Sequence, residues 1–424
     1  MSEVRPAGPD DRSRPVIQLG VLADDLTGAT DMASSLEAGG LRVRIVVGVP
    51  ESLPEGCDAV VVALKIRSAE EFEAVAIALA SARVLRGGGV TRVFFKYSST
   101  FDSGETGNIG PVCDAIADFS GQLVTVVSPS FPRLGRTLYQ GHLFVGSSLL
   151  DRSGLGDHPL TPRRRSSIVE LLGAQTSRPV GLVTLQTVHQ GSDSVKKAIA
   201  ELGAQGCRYA VVDGVEDHDL DVLALTVIDQ GFVTGSAGLG RAMADALGSF
   251  PPEDGGWNPP GEGYPVMLCG SCSVPTRRQI EHYAQCGPTL RIGRYDLDAD
   301  GLTEALSWVR QNIAHGAPLV YSTPDDDDGR DAVTEDAIWF EEFFSRLASA
   351  LLDAGIGRYV VAGGETSGAV IHGMGIQGLS LGPEICPGVP WMADDTGILI
   401  ALKSGNFGDD DFFITASKPD VFAR

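Results

Sequence analysis

The chain has 424 residues, more than one hydrophobic core normally organises, so two domains are expected. Its formal net charge of -22 argues against a nucleic-acid or anionic-membrane partner, which would call for clustered Lys and Arg. Hydrophobic residues make up 43% of the chain, enough for full-sized cores, but no apolar run approaches the roughly 20 residues that span a bilayer. Seven scattered cysteines, an odd number, indicate a reduced compartment rather than a disulfide framework.

The opening residues 1–15 are polar and lack an apolar signal-peptide core, so they are predicted to be a disordered extension on a cytoplasmic protein. Downstream, apolar runs of strand length alternate with helical patterns, which is typical of α/β domains with largely parallel sheets. The strand candidates of the first half are PVIQLGVLADD, RVRIVVG, DAVVVALKI, RVFFKYS and LVTVVSPS, with a helix at EEFEAVAIALASARVL. Those of the second half are VMLCG, TLRIG, PLVYSTP, RYVVAGG and ILIALKS, with helices near residues 275–285, 301–315 and 333–354.

A Pro- and Gly-rich stretch between the two halves, residues 248–265, is predicted to be a linker. It divides the chain into an N-terminal domain, residues 16–247, and a C-terminal domain, residues 266–424. The predicted fold class is α/β, with two domains that each hold a largely parallel sheet flanked by helices. A ligand cleft is expected between the two domains.

Polar side chains of the first half concentrate at the C-terminal ends of predicted strands, where open α/β sheets bind ligands. LADDLTGATD places Asp24 and Asp25 where the first strand passes into a helix. Asp25 or Thr27 could be an N-cap, but two adjacent carboxylates exceed what capping needs, so at least one is predicted in an active site. Such a density of small polar and charged groups suits a small, anionic, hydroxylated ligand. The candidate substrate-binding residues are Thr27, Lys65, Arg67, Lys96, Ser99, Asp102, Asn108, Arg136 and His158.

Three glycine-rich turns follow apolar strands of the second half, in GSCS, GGETSG and KSGNFG. A strand that ends in glycine and leads into a helix presents backbone N–H groups to a phosphate. Ordinary turn chemistry is the alternative for any one of them, but three together predict a nucleotide site built from several loops. The candidate nucleotide-binding residues are Ser271, Ser273, Gly363, Gly364, Glu365, Thr366, Gly405 and Asn406.

Other phosphate and metal motifs are absent or incomplete. No GxxxxGK[ST] occurs, which excludes a P-loop enzyme. GMGIQG, residues 373–378, follows a helical pattern and precedes a strand, the reverse of a dinucleotide fingerprint. The CxxC of Cys269 and Cys272 lacks the second pair that zinc needs, and the run Asp325–Asp328 is interpreted as a solvated acidic loop. The metal ligands are therefore left unassigned.

From about Gly20 to Phe413, the motifs resemble, in order, those of the four-carbon acid sugar kinases. They are LADDLTGATD, KYSSTFDSGETGNIGP, SFPRLGRTLYQGHLF, DHPLTP, TGSAGLG, GSCSVPTRRQ, GGETSGAV, EICPGVPW and ALKSGNFG. The resemblance implies a sugar-acid-binding N-terminal domain and a C-terminal domain that binds ATP with Mg²⁺. FKYSSTFDS, GNIGPV and YQGHLFV are most similar to members that phosphorylate 3-oxo-tetronate on its 4-hydroxyl. Arg163–Arg165, after DHPLTP, depart from the family's usual Met-Thr-Asp type of sequence.

The implied transfer of the ATP γ-phosphoryl group needs a base for the accepting hydroxyl, and Asp25 is the first hypothesis, with Asp24 the second. Lys65, Arg67 and Arg136 are predicted clamps for the substrate carboxylate. A D-threonate, L-threonate or D-erythronate kinase and a non-catalytic sugar-acid-binding protein remain alternatives, while the GMGIQG order disfavours a dehydrogenase. The expected partners are a small sugar acid and ATP, with no nucleic acid or membrane; a homodimer stays open.

Overall fold

The structure is a computed structural model that describes residues 17–101, 104–153, 165–248, 263–322 and 333–418, apart from the side chains of residues 333–337. Several sequence predictions lie outside these ranges. They are the extension at residues 1–15, most of the linker at 248–265, Asp102, His158, Arg163, Arg164 and the run Asp325–Asp328. Within the described residues, helices separate many of the apolar strands, as the alternation predicts.

The strands of the N-terminal half are β1 Leu19–Ala23, β2 Val43–Val47, β3 Ala59–Ala63, β4 Val93–Lys96, β5 Thr125–Ser128, β6 Arg136–Tyr139, β7 His142–Val145, β8 Ser148–Leu149, β9 Val180–Val183, β10 Tyr209–Val212 and β11 Phe232–Gly235. Its helices are α1 Leu26–Ala38, α2 Glu71–Gly87, α3 Ile109–Ser120, α4 Ile168–Gln175, α5 Leu185–Val188, α6 Ser192–Ala204, α7 Asp217–Val227 and α8 Ala237–Leu247.

The strands of the C-terminal half are β12 Val266–Cys269, β13 Thr289–Arg291, β14 Leu319–Tyr321, β15 Arg358–Ala362, β16 Gly378–Cys386, β17 Val389–Ala393 and β18 Leu399–Lys403. Its helices are α9 Val274–Tyr283, α10 Ala299–Asn312, α11 Val333–Asp353, α12 Gly364–Gly373 and α13 Phe412–Ala416. In the described residues, no helix is both long and apolar enough to cross a bilayer.

The strands form two largely parallel blocks, which confirms the predicted fold class. In the N-terminal half the order is β2-β3-β1-β4-β11-β5-β10-β9, and every neighbouring pair is parallel. In the C-terminal half β13-β14-β12-β15-β18 are parallel, and the antiparallel β17 and β16 extend them. Because helices cover both faces of such a block, strands such as β1 and β3 are buried along their whole length.

The two blocks meet edge to edge, a feature that the sequence did not predict. β16 pairs with β2 in antiparallel register, with Leu379 opposite Ile45, so one sheet of fifteen strands runs through both halves. α1 lies at this junction, and it packs against α8 of its own half and against α12 and β17 of the other. The core that contains Met32 of α1 also contains Met392 of β17, so the halves share buried apolar surface.

The ten strands predicted from apolar runs are all present, and so is the order of helix and strand around GMGIQG, because α12 ends at Gly373 and β16 begins at Gly378. The strands β9, β10, β11 and β17 were missed, and so was the small antiparallel sheet β6-β7-β8. Its hairpin turn has Gln140 and Gly141 at φ of 51° and 72° in place of the usual Asn-Gly pair. The buried Asp213 carboxylate accepts the N–H groups of both, at 2.8 and 2.9 Å. A distant side chain therefore stabilises this turn.

Candidate active site

Asp24 and Asp25 lie between the end of β1 and the start of α1, beside Arg67, which follows β3. The parallel pairing of β1 with β3 brings these chain ends together. Arg67 donates from Nε to Asp24 Oδ2 at 2.9 Å and from Nη2 to Oδ1 at 2.7 Å, while its Nη1 lies 2.6 Å from Asp25 Oδ2. Burial raises the pKa of Asp24, and the Arg67 guanidinium opposes that rise. One guanidinium thus pairs with both adjacent carboxylates.

Asp25 is both a helix cap and part of this acidic pair. Its Oδ1 accepts the N–H of Gly28 at 2.6 Å, so it is the N-cap of α1, and its Oδ2 accepts the Thr27 hydroxyl at 3.1 Å. Its side chain is 19% exposed, against 4% for Asp24. Of the two candidates for a base, Asp25 is therefore the one that a bound ligand can reach more readily.

The first turn of α12 lies opposite the first turn of α1. A methyl group built on Gly364 would stand 3.8 Å from both Asp25 Oδ2 and Thr27 Oγ1. Two helix N-termini therefore converge on the Asp25 carboxylate, one from each half of the chain. The aligned peptide dipoles give each helix N-terminus a partial positive charge, so this is a favourable place for an anion.

Lys96 and Asp31 extend the cluster on the N-terminal side. Lys96 is 3% exposed at the end of β4, and its Nζ lies 3.6 Å from Asp31 Oδ2 on α1. A methyl group on Gly28 would stand 2.4 Å from Asp25 Oδ1 and 2.6 Å from Lys96 Nζ, so only glycine lets the lysine approach so closely. Burial raises the pKa of Asp31, against the opposing charge of Lys96.

The remaining predicted substrate residues fall into different surroundings. Asn108 is buried and donates its amide hydrogens to the carbonyls of Ile66 and Ala69 at 2.8 and 2.7 Å, so it holds the segment that carries Arg67. Arg136 begins β6 and donates to the Leu134 carbonyl. Ser99 is half-buried in the turn after β4. Asp102 and His158 lie outside the described residues.

A cleft of about 600 Å³ opens beside Asp25 between the two halves. Its walls carry charged side chains from both sides: Asp24, Asp25, Lys65 and Arg67 from the first half, and Glu341, Glu342, Glu365 and His372 from the second. Lys65 reaches across, with its Nζ 3.2 Å from Glu341 Oε2 and 3.6 Å from Glu365 Oε2. Burial raises the pKa of Glu365, and the Lys65 ammonium opposes the rise.

The three glycine-rich turns come together at the ends of the adjacent parallel strands β12, β15 and β18. A methyl group on Gly405 would stand 2.6 Å from Ser271 Oγ, and one on Gly270 would stand 2.3 Å from Thr366 Oγ1. Gly363 has φ of +119°, and a methyl group on it would stand 3.2 Å from the backbone nitrogen of Ser271. Side chains at these glycines would collide with hydroxyl groups of the neighbouring turns, so the three turns pack closely against one another. The predicted nucleotide residues Ser271, Ser273, Gly363, Gly364, Glu365, Thr366, Gly405 and Asn406 all belong to this cluster or flank it.

Three residues that the sequence analysis did not select organise this cluster. Gln279 is buried and donates from Nε2 to the carbonyls of Phe407, Gly408 and Asp409 at 3.1, 3.1 and 2.8 Å. Thr276 and Lys403 both bond to the carbonyl of Gly405, at 2.7 and 3.1 Å. All three lie within motifs that carry the family resemblance, Thr276 and Gln279 in GSCSVPTRRQ and Lys403 in ALKSGNFG. The motifs did not indicate which of their residues would bond to the other turn.

Comparison with known proteins agrees with this arrangement. A sugar-binding N-terminal domain family matches residues 19–243, and a nucleotide-binding C-terminal domain family matches residues 266–413. A 3-oxo-tetronate kinase of Haemophilus influenzae is 41% identical over 93% of this chain and 98% of its own. One of Salmonella typhimurium is 40% identical over 95% of this chain and 99% of its own.

Solved structures show the same fold. A crystal structure from Salmonella typhimurium LT2, provisionally named as a tRNA synthase, has a TM-score of 0.84 at 39% identity and covers 95% of this chain and 99% of that one. A crystal structure of a Haemophilus influenzae protein has a TM-score of 0.74 at 41% identity, with 94% and 98% covered.

The fold and the site together define a two-domain enzyme class in which a sugar-binding domain faces a nucleotide-binding domain across a charged cleft. Within that class, the chain belongs to the four-carbon acid sugar kinase family. The resemblance found in the sequence motifs is confirmed.

Proposed function

We propose that this chain is an ATP-dependent kinase that phosphorylates the 4-hydroxyl of 3-oxo-tetronate, giving the 4-phosphate and ADP. The observation that carries the proposal is the position of Asp25, at the N-terminus of α1 and directly opposite the N-terminus of α12. This places a carboxylate that can accept a proton beside a site suited to phosphate. Near full-length identity of about 40% to 3-oxo-tetronate kinases supports the choice of substrate.

Asp25 is the proposed general base, and Asp24 is the second candidate. Asp25 is the more exposed of the two, and only one of its oxygens is used in capping α1. Arg67 holds the pair in place, since it bonds to both carboxylates. A carboxylate held in this way can take the proton of a hydroxyl while the new bond to phosphorus forms.

The sugar acid is proposed to bind in the cleft beside Asp25. Lys65, Arg67 and Arg136 are the proposed partners for its carboxylate, and Lys96 is a further proposed substrate contact. Thr27, Ser99 and Asn108 remain proposed neighbours of its hydroxyl groups, as do Asp102 and His158. The charge of Lys65 is shared with Glu341 and Glu365, so an incoming anion would compete with these carboxylates.

ATP is proposed to bind at the three glycine-rich turns, which lie together at the ends of β12, β15 and β18. Ser271, Ser273, the segment from Gly363 to Thr366, Gly405 and Asn406 would contact it. The described residues hold no cluster of three or more His, Cys, Asp or Glu side chains around one point. Mg²⁺ is therefore proposed to be held mainly by the nucleotide phosphates, with Asp25 or Glu365 near enough to contribute an oxygen. When bound, it would neutralise phosphate charge.

The test is ADP release with Mg-ATP over a panel of 3-oxo-tetronate, D-threonate, L-threonate and D-erythronate, with the phosphorylated carbon assigned by NMR. We expect preferential turnover of the keto acid at its 4-hydroxyl. A site that hydrogen-bonds one of the two groups, ketone or secondary alcohol, can reject the other strongly. Preferential turnover of a threonate or erythronate would replace the substrate, and no turnover of any would favour the binding-protein alternative.

The domain limits at residues 16–247 and 266–424, a cytoplasmic location and a homodimer complete the proposal. The net charge of -22 supports a partner that is neither nucleic acid nor anionic membrane. Sedimentation of the full chain would measure its assembly state.

A further inference from the structure

The side chain of Lys403 is wholly buried at the end of β18, behind the turn that follows this strand. Its Nζ donates to Thr276 Oγ1 at 2.9 Å, to the Gly405 carbonyl at 3.1 Å and to the Ser404 carbonyl at 3.2 Å. It also lies 5.5 Å from the centre of the Phe412 ring. Three acceptors match the three N–H donors of an ammonium group. The ammonium group of Lys403 therefore stabilises the turn and is not exposed to solvent.

The Gly405 carbonyl is the point on which this network converges. It accepts from Ser273 Oγ at 2.5 Å and Thr276 Oγ1 at 2.7 Å, as well as from Lys403. Ser273 and Thr276 belong to the turn after β12 and the first turn of α9, so the network joins two of the three glycine-rich turns. The third is joined by the N–H of Gly363, which donates to the Lys403 carbonyl at 2.9 Å.

These hydrogen bonds determine which way the peptide group between Gly405 and Asn406 points. In a trans peptide the carbonyl of one residue and the N–H of the next point in opposite directions. Because the Gly405 carbonyl is drawn toward buried Lys403, the N–H of the exposed Asn406 is turned away from it. A donor is thereby presented on the outer side of the turn, where an anion could bind.

We propose that Lys403 is a positioning residue for the nucleotide phosphates, holding the Gly405 peptide so that the turn presents its N–H groups outward. This rests on the proposed function, since it assumes that ATP binds at these turns. The ammonium itself would not touch ATP; it acts through the Gly405 carbonyl and Thr276.

The test measures the binding of a fluorescent ATP analogue and the Michaelis constants of the Lys403→Met variant, with thermal unfolding in the absence of nucleotide. Met keeps the length of the side chain and removes the charge, while the Gly405 carbonyl keeps its hydrogen bonds from Ser273 and Thr276 and so is not left without a donor. We expect nucleotide affinity to fall about tenfold or more, because the Asn406 N–H would no longer be held in the direction of the phosphates. The KM for the sugar acid and the Tm without nucleotide should stay near the wild-type values.

Thr276→Val provides a second variant, because it removes one acceptor of Lys403 and one donor to Gly405 while keeping a similar shape. It should also lower the affinity for the ATP analogue. If Lys403→Met does not fold, the affinity of Thr276→Val tests the proposal instead. Wild-type affinity in the folded variant overturns the proposal. So does an equal loss of nucleotide affinity, sugar-acid KM and Tm, which would indicate a general structural role. If the wild-type protein itself binds no ATP analogue, the proposed function fails first, and the two failures are thereby distinguished.

Discussion

Asp25 combines two tasks that usually fall to different residues. As the N-cap of α1 it accepts a backbone N–H through Oδ1, and through Oδ2 it faces Arg67, Thr27 and the first turn of α12. An N-cap carboxylate is fixed in direction by the helix it begins. The orientation of the proposed base is therefore set by secondary structure, not by the ligand.

Replacing Asp25 with Asn separates these two tasks, because Asn caps helices about as well as Asp but cannot take up a proton. We expect kcat to fall by about 100-fold or more, the scale of general-base catalysis, with ATP affinity and Tm little changed. Steady-state kinetics and nucleotide titration measure this. Asp298→Asn is the matched control, since Asp298 caps α10 through the same type of bond at an exposed position. Near wild-type kcat in Asp25→Asn would remove Asp25 as the base.

A substitution at Gly405 tests the proposed nucleotide site. An alanine methyl would stand 2.6 Å from Ser271 Oγ and 3.0 Å from Ser273 Oγ, closer than van der Waals contact allows. Gly405→Ala should displace these hydroxyls and raise the KM for ATP about tenfold, leaving the KM for the sugar acid unchanged. Gly173→Ala in α4, where a methyl meets nothing within 4 Å, is the control and should not alter kinetics. An unchanged KM for ATP in Gly405→Ala would place the nucleotide elsewhere.

At the level of elements, the cleft is formed by α1 and the end of β3 on one side and by α11 and α12 on the other. Lys65, Glu341 and Glu365 provide its cross-domain ion pairs. Lys65 is 63% exposed, and exposed pairs contribute about 0 to 1 kcal/mol, so these contacts hold the two sides together only weakly. They are better suited to exchange with an anionic ligand than to fixing the two halves.

Lys65→Met is therefore expected to raise the KM for the sugar acid about tenfold or more, through loss of a charge-assisted contact, while changing Tm little. Glu341→Gln is the matched control variant, because it breaks the same ion pair but keeps the Lys65 ammonium group. It should leave the KM unchanged or lower it, as the lysine is freed for the substrate. If both variants raise the KM equally, the ion pair itself matters and Lys65 is not a substrate contact. Initial-rate kinetics of the two variants decide between these outcomes.

At the scale of the whole molecule, the partly buried carboxyl group of Glu37 lies at the junction between the two halves. Burial raises the pKa of Glu37 on α1 to about 7, and the carboxylate of Glu384 on β16 adds to the rise. The folded protein keeps the Glu37 proton up to about pH 7, whereas the unfolded chain releases it near the ordinary value of 4.5. Between these values the folded state binds more protons, so the contribution of Glu37 to stability declines as pH rises.

Glu37→Gln should remove this decline. We expect the free energy of unfolding to match the wild type near pH 4.5 and to exceed it at pH 8 by on the order of 2 kcal/mol. Urea denaturation at the two pH values measures the difference. Glu304→Gln, at an exposed position on α10, should show no such gain. Equal stability of wild type and Glu37→Gln at pH 8 would mean that Glu37 is solvated in the folded protein.

Local sequence was sufficient for much of this description. Alternating apolar and helical patterns predicted the ten strands and the parallel α/β class, because burial on both faces requires continuous apolar runs. Glycines at strand ends predicted three turns that do lie together, since neighbouring parallel strands end at the same edge. The acidic pair after the first strand was also visible, because two carboxylates there exceed what a cap needs.

Other features depended on contacts between residues far apart in the chain. The pairing of β16 with β2, the Arg67 bridge to Asp24 and Asp25, and the Lys403 network each join segments whose own patterns do not indicate a partner. The sequence left open whether Asp25 caps a helix or serves an active site; the structure shows the cap and pairs the same carboxylate with Arg67, and the active-site role stays a prediction. The sequence by itself determined the elements and their polar ends, because these depend on local burial and turn chemistry. Only the tertiary structure decided which ends meet, because hydrogen-bond and charge partners are chosen by packing.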